Sequence, residues 1–168
     1  MIDRRQLCLG LSAAAALAGP ARAASWAEGE NALHILVHKA RRKLLLVRAG
    51  VTLHTFPIAL GNNPKGTKRR AGDGRTPEGH YVIDAFNQWS RYHRALHISW
   101  PNADDIARAR AAGHEPGGNI EIHGMPSGYE DVDPPFFPTD WTDGCIGVSN
   151  RAIETIWKNV SLDTPVVI

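Results

Sequence analysis

Apolar and polar positions alternate through much of the chain, and the alternation predicts strands. Leu33-His34-Ile35-Leu36-Val37-His38 and Lys43-Leu44-Leu45-Leu46-Val47-Arg48 flank the basic turn Lys39-Ala40-Arg41-Arg42 and read as a hairpin. Val51-Thr52-Leu53-His54-Thr55-Phe56 continues as a third strand, with Pro57 marking an edge or a bulge. After a long Gly/Pro/Asn-rich connection over residues 61–79, strands are expected at His80–Phe86 and Arg94–Trp100. The pattern then changes. Asn102 caps a short surface helix over Ala103–Ala112, with Asp104 and Asp105 at its positive end and Gly113 at its stop. A strand running to His123, a proline-rich loop from Met125 to Pro138 and the short apolar run Ile146-Gly147-Val148 follow. Ser149 or Asn150 caps a last helix, in which Ile153, Ile156, Trp157 and Val160 recur at helical spacing, and Thr164–Ile168 closes the chain as a strand. Strands dominate, helices are two and short, and there is no βαβ alternation or repeat, so the fold expected is a mainly-β sandwich or barrel.

Composition sharpens the boundaries. At 168 residues the chain suits one domain with a core of its own. Arg4-Arg5, the apolar stretch Leu7–Ala18 and Ala21-Arg22-Ala23 form a basic n-region, an h-region and an A-x-A site, so residues 1–23 read as an export segment cut after Ala23. The paired arginines admit the twin-arginine route beside the general one. Residues 24–32 read as a short leader, and 33–168 as the domain. Without the segment one cysteine remains, Cys145, and a lone thiol in an exported protein either pairs with another chain or is chemically active.

Charge is polarised along the chain: residues 24–94 carry 12 basic and 5 acidic side chains, residues 95–168 carry 4 and 11. Two faces of one domain neutralising each other account for this. No basic stripe is interleaved with aromatics, which argues against nucleic acid as a partner. The loop over 61–79 lacks the Gly-x-x-x-x-Gly-Lys-Ser/Thr spacing of a nucleotide cradle. His34, His38 and His54 lack a thiol or carboxylate at ligand spacing, so no metal site is expected on them.

Chemistry concentrates in two glycine-flanked positions. In Asn119-Ile120-Glu121-Ile122-His123-Gly124 a strand delivers a histidine as it ends, and in Asp140-Trp141-Thr142-Asp143-Gly144-Cys145 a tight turn delivers the thiol. A thiol attacks as thiolate, and a histidine within reach can take its proton and return it to a leaving amine. The second imidazole nitrogen needs an orienting partner, for which the Gly124 carbonyl is nearest. Acyl transfer also needs N–H donors for an oxyanion, and the turn suggests the Gly144 and Cys145 amides. A catalytic site leads one to expect fast alkylation of Cys145 well below the ordinary thiol pKa of ~8.5, whereas a binding module would leave an ordinary thiol or a buried, inert one.

His-Gly, a loop, and Ser/Thr-x-Gly-Cys-Ile/Leu/Val, here His123-Gly124 and Thr142-Asp143-Gly144-Cys145-Ile146, resembles the signature of L,D-transpeptidase catalytic domains of the YkuD type. The resemblance extends through Gly72-Asp73-Gly74-Arg75-Thr76-Pro77-Glu78-Gly79 and Ser99-Trp100-Pro101-Asn102-Ala103. It implies a periplasmic β domain acting on peptidoglycan peptide stems, with Cys145 as nucleophile, His123 as acid and base, the Gly124 carbonyl orienting it, and no metal or organic cofactor. Arg75, Tyr129, Trp141, Thr142 and Asp143 are the candidate substrate contacts. Many members carry an arginine or another polar residue two positions after the cysteine, where this chain has Gly147. That departure leaves open whether an amine or water resolves the thioester; with water the enzyme would trim stems or release a wall-attached lipoprotein. A non-catalytic wall-binding module is the alternative of another class.

Overall fold

The computed structural model describes residues 32–129 and 140–168. The export segment, all of the leader but its last residue, and positions 130–138 of the proline-rich loop lie outside the described residues. Among the described residues, eight strands and two helices follow the order β1 (His34–His38), β2 (Lys43–Arg48), β3 (Val51–Pro57), β4 (His80–Asn87), β5 (Ala95–Ile98), α1 (Ala103–Ala111), β6 (Glu121–His123), β7 (Ile146–Gly147), α2 (Asn150–Asn159) and β8 (Pro165–Val167). The mainly-β expectation with two short helices holds.

The strands form one curled sheet in the order β3-β2-β1-β8-β4-β5-β6-β7. Two pairings, β1 with β8 and β6 with β7, are parallel, and the rest are antiparallel. β3 and β7 are the sheet's edges, yet the chain directly after β3 reaches across to β7. Ala59 and Gly147 exchange both backbone hydrogen bonds at 2.8 and 2.9 Å, and Thr142 pairs with Leu60 and Asn62 at 3.1 and 2.8 Å. Backbone groups left open at two edges thus satisfy each other, which removes an exposed edge. The curl carries the segment that precedes the cysteine onto the start of the glycine-rich connection.

Alternation in β1 and β2 buries Ile35, Val37, Leu44 and Leu46, which meet Ile83, Leu96, Ile98, Ile122, Ile146 and Val166 from the other strands. α2 closes this core with Ala152, Ile153 and Ile156 buried, and Trp157 and Val160 packed against it. Trp157 sits edge-on to Phe86 at 4.7 Å, as core rather than ligand platform. Ser149 is the cap of α2, its hydroxyl accepting from the Ala152 N–H. α1 begins with a full capping box: Asn102 accepts from the Asp105 N–H, and Asp105 accepts from the Asn102 N–H. β3 departs from the pattern read in the sequence. All its residues except Phe56 are exposed, so neither face of the strand is buried.

Candidate active site

The histidine comes first, because its surroundings dictate its chemistry. β6 is three residues long and lies between β5 and β7, which leaves His123 only 2% exposed. Tyr92 stacks on the imidazole at 4.4 Å between centroids and an interplanar angle of 28°, and Trp141 stands edge-on to it at 5.6 Å. His123 Nδ1 lies 2.8 Å from the Gly124 carbonyl oxygen. A carbonyl only accepts, so Nδ1 carries the proton in the neutral ring and Nε2 keeps its lone pair. Gly124 must be glycine for room rather than for torsion: a Cβ there would stand 2.5 Å from Asn150 Oδ1 and 2.9 Å from the Tyr92 carbonyl oxygen. Asn150 Oδ1 in turn accepts the Met125 N–H at 2.7 Å, which fixes the chain leaving the histidine.

Cys145 is delivered to the same face. β6 and β7 run parallel in the register Ile122↔Ile146 and His123↔Gly147, so Cys145 stands beside Glu121 and its side chain shares His123's face. The Glu121 N–H donates to Sγ at 3.4 Å, and the thiol points its proton to the Asn119 carbonyl at 3.6 Å. Opposite His123 the partner residue is Gly147, which has no side chain to fill the space; a Cβ there would meet the Trp141 ring at 3.3 Å. The glycine that departs from the family pattern is therefore what admits Trp141 beside the imidazole. Gly144 turns the chain at φ +134°, where other residues are strained, and a Cβ on it would be 2.6 Å from the Arg75 carbonyl oxygen. Gly61 also packs against this turn: its Cβ would collide with the Gly74 carbonyl and stand 3.0 Å from Gly144 Cα. Backbone meets backbone, and the glycine-rich connection is thereby seated against the cysteine turn.

Its buried anchor is an ion pair. Lys68 Nζ bonds Asp73 Oδ1 at 2.9 Å, with side chains 4% and 9% exposed, and lies 5.4 Å from the Trp100 ring centroid. Burial by itself would raise the Asp73 carboxyl, but the Arg69, Arg75 and Arg70 N–H groups and the Lys68 ammonium hold it below its ordinary value. A Cβ on Gly144 would be 3.4 Å from Lys68 Nζ, which places this cation next to the residue preceding the thiol.

Burial favours the neutral form of both candidate groups. Burial pushes the Cys145 thiol up to about 11; the Glu121 N–H and the Lys68 charge oppose it, and the Glu121 and Asp143 carboxylates add to it. Burial likewise pushes His123 below its ordinary value, against the Gly124 hydrogen bond. Burial thus moves the thiol in the direction opposite to that expected of an activated nucleophile, because the turn is roofed by protein and the charged form loses water.

The other candidates from the sequence separate. Thr142 is 4% exposed and its hydroxyl is committed, donating to the Cys145 carbonyl at 2.7 Å and accepting the Gly144 N–H at 3.1 Å. It braces the turn rather than facing a substrate, and the Gly144 amide, expected as an oxyanion donor, is spent on it. Asp143 is exposed, with Oδ1 3.4 Å from Asn62 Nδ2. Tyr129 is exposed at the start of the proline-rich loop, while Trp141 belongs to the aromatic wall around His123. Arg75 lies with Lys68 along a cleft of about 360 Å³ beside the turn. Tyr92, Lys68 and Asn150 were not singled out by sequence reasoning. Tyr92 sits in an irregular loop with no periodicity; Lys68 had one cue, its place in a long glycine-rich connection of the kind that carries function.

Residues 32–168 match the YkuD family, described as the L,D-transpeptidase catalytic domain. YafK of Escherichia coli (strain K12) is 32% identical over 136 residues, covering 77% of this chain and 47% of YafK. Bd1075 of Bdellovibrio bacteriovorus superposes with a TM-score of 0.58 at 26% identity, covering 81% of this chain and 47% of Bd1075. The helical cell shape determining protein Pgp2 of Campylobacter jejuni shares the fold at a TM-score of 0.61 and 24% identity, over 81% of this chain and 46% of Pgp2. The chain spans about half the length of each of these relatives.

Proposed function

The chain belongs to the YkuD family of L,D-transpeptidase catalytic domains, and on that premise we propose that it is an exported cysteine acyltransferase acting on peptidoglycan peptide stems. The observation that carries the reading is the tautomer of His123: its proton is held by the Gly124 carbonyl, so a basic Nε2 remains on the face that Cys145 shares. In the proposed reaction His123 Nε2 takes the thiol proton as Sγ attacks the L-centre carbonyl of diaminopimelate in a tetrapeptide stem. The Cys145 N–H supports the oxyanion, since the Gly144 N–H is engaged by Thr142. Collapse breaks the amide C–N bond, and His123 returns the proton to the departing D-alanine amine. An amine of a second stem then attacks the thioester and restores the thiol. Neutral partners suit this sequence, because the proton moves only when the substrate carbonyl is in place and free thiolate is not exposed beforehand.

Arg4-Arg5, the apolar run and Ala21-Arg22-Ala23 support the reading of an exported, periplasmic enzyme. Among the described residues no helix is long and apolar enough to cross a membrane. The test is mass spectrometry of purified sacculi incubated with residues 24–168 and with Cys145→Ala. New crosslinks between two diaminopimelate residues, or exchanged terminal amino acids, are expected from the parent and should vanish in the variant. Shortened stems or released lipoprotein fragments without crosslinks would replace the amine acceptor by water. Full turnover by Cys145→Ala would end the thioester reading altogether.

A further inference from the structure

The acyl-transfer reading draws on His123 and Cys145 and leaves unused a row of titratable groups on the same face of the sheet. β5 and β6 pair in the register Ala95↔His123 and His97↔Glu121, so His97, Glu121 and His123 share one face, opposite the buried Leu96, Ile98 and Ile122. Cys145 adjoins Glu121 from the β7 side of that face. On the other side His97 Nδ1 hydrogen-bonds Asp84 Oδ1, at the bulge of β4. The row therefore runs Asp84, His97, Glu121, Cys145, and it ends at the thiol. The Glu121 N–H donates to Sγ at 3.4 Å, yet among the described residues no hydrogen bond or ion pair engages the Glu121 carboxylate. A carboxylate only accepts, so in the neutral ring His97 Nδ1 carries the proton and Nε2 keeps its lone pair. The His97 and Asp84 side chains are 25% and 40% exposed, so the outer end of the row opens to water.

We propose that Glu121 receives the ammonium of the second stem and takes a proton from it, which makes Glu121 the residue that favours an amine over water in resolving the thioester; the proposal rests on the acyl-transfer reading above. The count of protons points there. A stem amine is protonated at neutral pH, and its nitrogen loses two protons on becoming an amide. His123 has one basic nitrogen to offer, because its other is committed to the Gly124 carbonyl. Glu121 is the second base beside the acyl group. Its carboxylate takes one proton and frees the nitrogen lone pair, and the C–N bond forms at the acyl carbon. His123 Nε2 takes the second proton, the C–S bond breaks, and that proton passes to Sγ. The proton on Glu121 moves to His97, a stronger base than a carboxylate, and from there to solvent, which draws the transfer forward. Water gives up one proton as its C–O bond forms, so His123 alone suffices for hydrolysis. An unpaired carboxylate beside the thioester also attracts the cationic acceptor before any bond is made.

The test reads how the thioester is divided between acceptors. A tetrapeptide stem is given to the parent, Glu121→Gln and His97→Gln, with a second stem as amine acceptor and, separately, with hydroxylamine, which is uncharged at neutral pH. Released D-alanine measures acylation, and mass spectrometry measures the crosslinked, hydrolysed and hydroxamate products. In Glu121→Gln the ratio of crosslinked to hydrolysed stem should fall roughly tenfold or more, the effect of losing a charge-assisted contact. D-alanine release and hydroxamate formation should stay within about twofold of the parent, since neither passes through an ammonium. His97→Gln should lower the same ratio by a smaller factor. Burial and, beside it, the Glu121 carboxylate hold the Cys145 thiol up, so alkylation at pH 8 should quicken in Glu121→Gln. An unchanged product ratio, an equal loss of crosslinks and hydroxamate, or a thiol whose alkylation ignores the substitution would overturn the assignment. A parent that acylates but yields hydrolysed stem alone would overturn it with the thioester chemistry intact. A parent that releases no D-alanine would instead strike the acyl-transfer reading itself.

Discussion

At the scale of single residues, the site is defined by what burial does to two titrating groups. A thiol pushed up to about 11 and an imidazole pushed below its ordinary value make neutral Cys145 and neutral His123 the resting pair over a wide range. Two probes of one thiol should then disagree. Alkylation by iodoacetamide, which consumes free thiolate, should be slow at pH 7 and climb about tenfold per pH unit through 9 and 10. Single-turnover acylation by a stem peptide, in which His123 takes the proton, should be flat from about pH 7 to 9, falling on the acid side only below the ordinary histidine value of ~6.5. An alkylation profile that levels off near neutrality would contradict this account. The Lys68 charge pulls the thiol down, so its removal should raise it further and slow alkylation at pH 8 roughly three- to tenfold, the effect of half to one pKa unit. Because Lys68→Met strands the Asp73 carboxylate, the measurement includes Lys68→Met/Asp73→Asn, in which no charge is left unpaired, and Lys68→Arg, which should restore the parental rate. Cys145 and His123 were legible in the sequence because glycine flanks each and Cys145 is the one thiol outside residues 1–23. Their protonation was not, since it depends on a roof built by Tyr92 and Trp141 from separate segments.

At the scale of elements, β6 and β7 matter more than their three and two residues suggest. Their parallel register places a bare Gly147 opposite His123, and Trp141 fills the resulting space. Gly147→Arg would install one of the polar side chains that the family resemblance leads one to expect there, but in this chain it should fail. Its Cβ would stand 3.3 Å from the Trp141 ring, closer than ordinary packing, so the ring must give way. A cost of about 1–3 kcal/mol is expected from overpacking, read as a lower urea midpoint, together with a loss of acylation rate greater than the loss of folded protein. A variant as stable and active as the parent would show that Trp141 has no part in holding the imidazole. Most elements were readable from pattern alone: the hairpin, both helix caps and the helical spacing of Ile153, Ile156 and Val160 recur in the structure. β3 shows the limit of the method. Its alternation looks like a half-buried strand, yet burial depends on whether another layer covers it, and local sequence carries no record of that.

At the scale of the whole molecule, the arrangement depends on closure. The segment after β3 and the segment before the cysteine come together at a point where three distant parts of the chain converge on one carboxylate. Asp140 accepts Arg42 Nε at 2.8 Å and Arg42 Nη2 at 2.6 Å, and its Oδ1 also takes the Leu60 N–H at 3.0 Å. Arg42 lies in the turn between β1 and β2, 98 residues away in sequence, and no local pattern could announce the contact. The polarity of charge along the chain did foreshadow it: Arg42 with Asp140 and Arg94 with Glu154 join the basic first half to the acidic second, while Arg69, Arg70 and Arg75 remain uncompensated at the cleft. If this carboxylate holds the sheet's two edges together, Asp140→Ala should cost about 2–4 kcal/mol, since it strands a half-buried guanidinium and an N–H at once. Urea denaturation measures that cost, and acylation at a temperature where the variant stays folded measures its reach into the site. The double variant Arg42→Met/Asp140→Ala removes the stranded charge and should regain part of the stability without regaining the rate, because the Leu60 and Thr142 segments are still unclasped. Recovery of both together would mean that Asp140 serves as a charge partner alone, and that backbone pairing between Ala59 and Gly147 suffices to bring the cysteine turn into place.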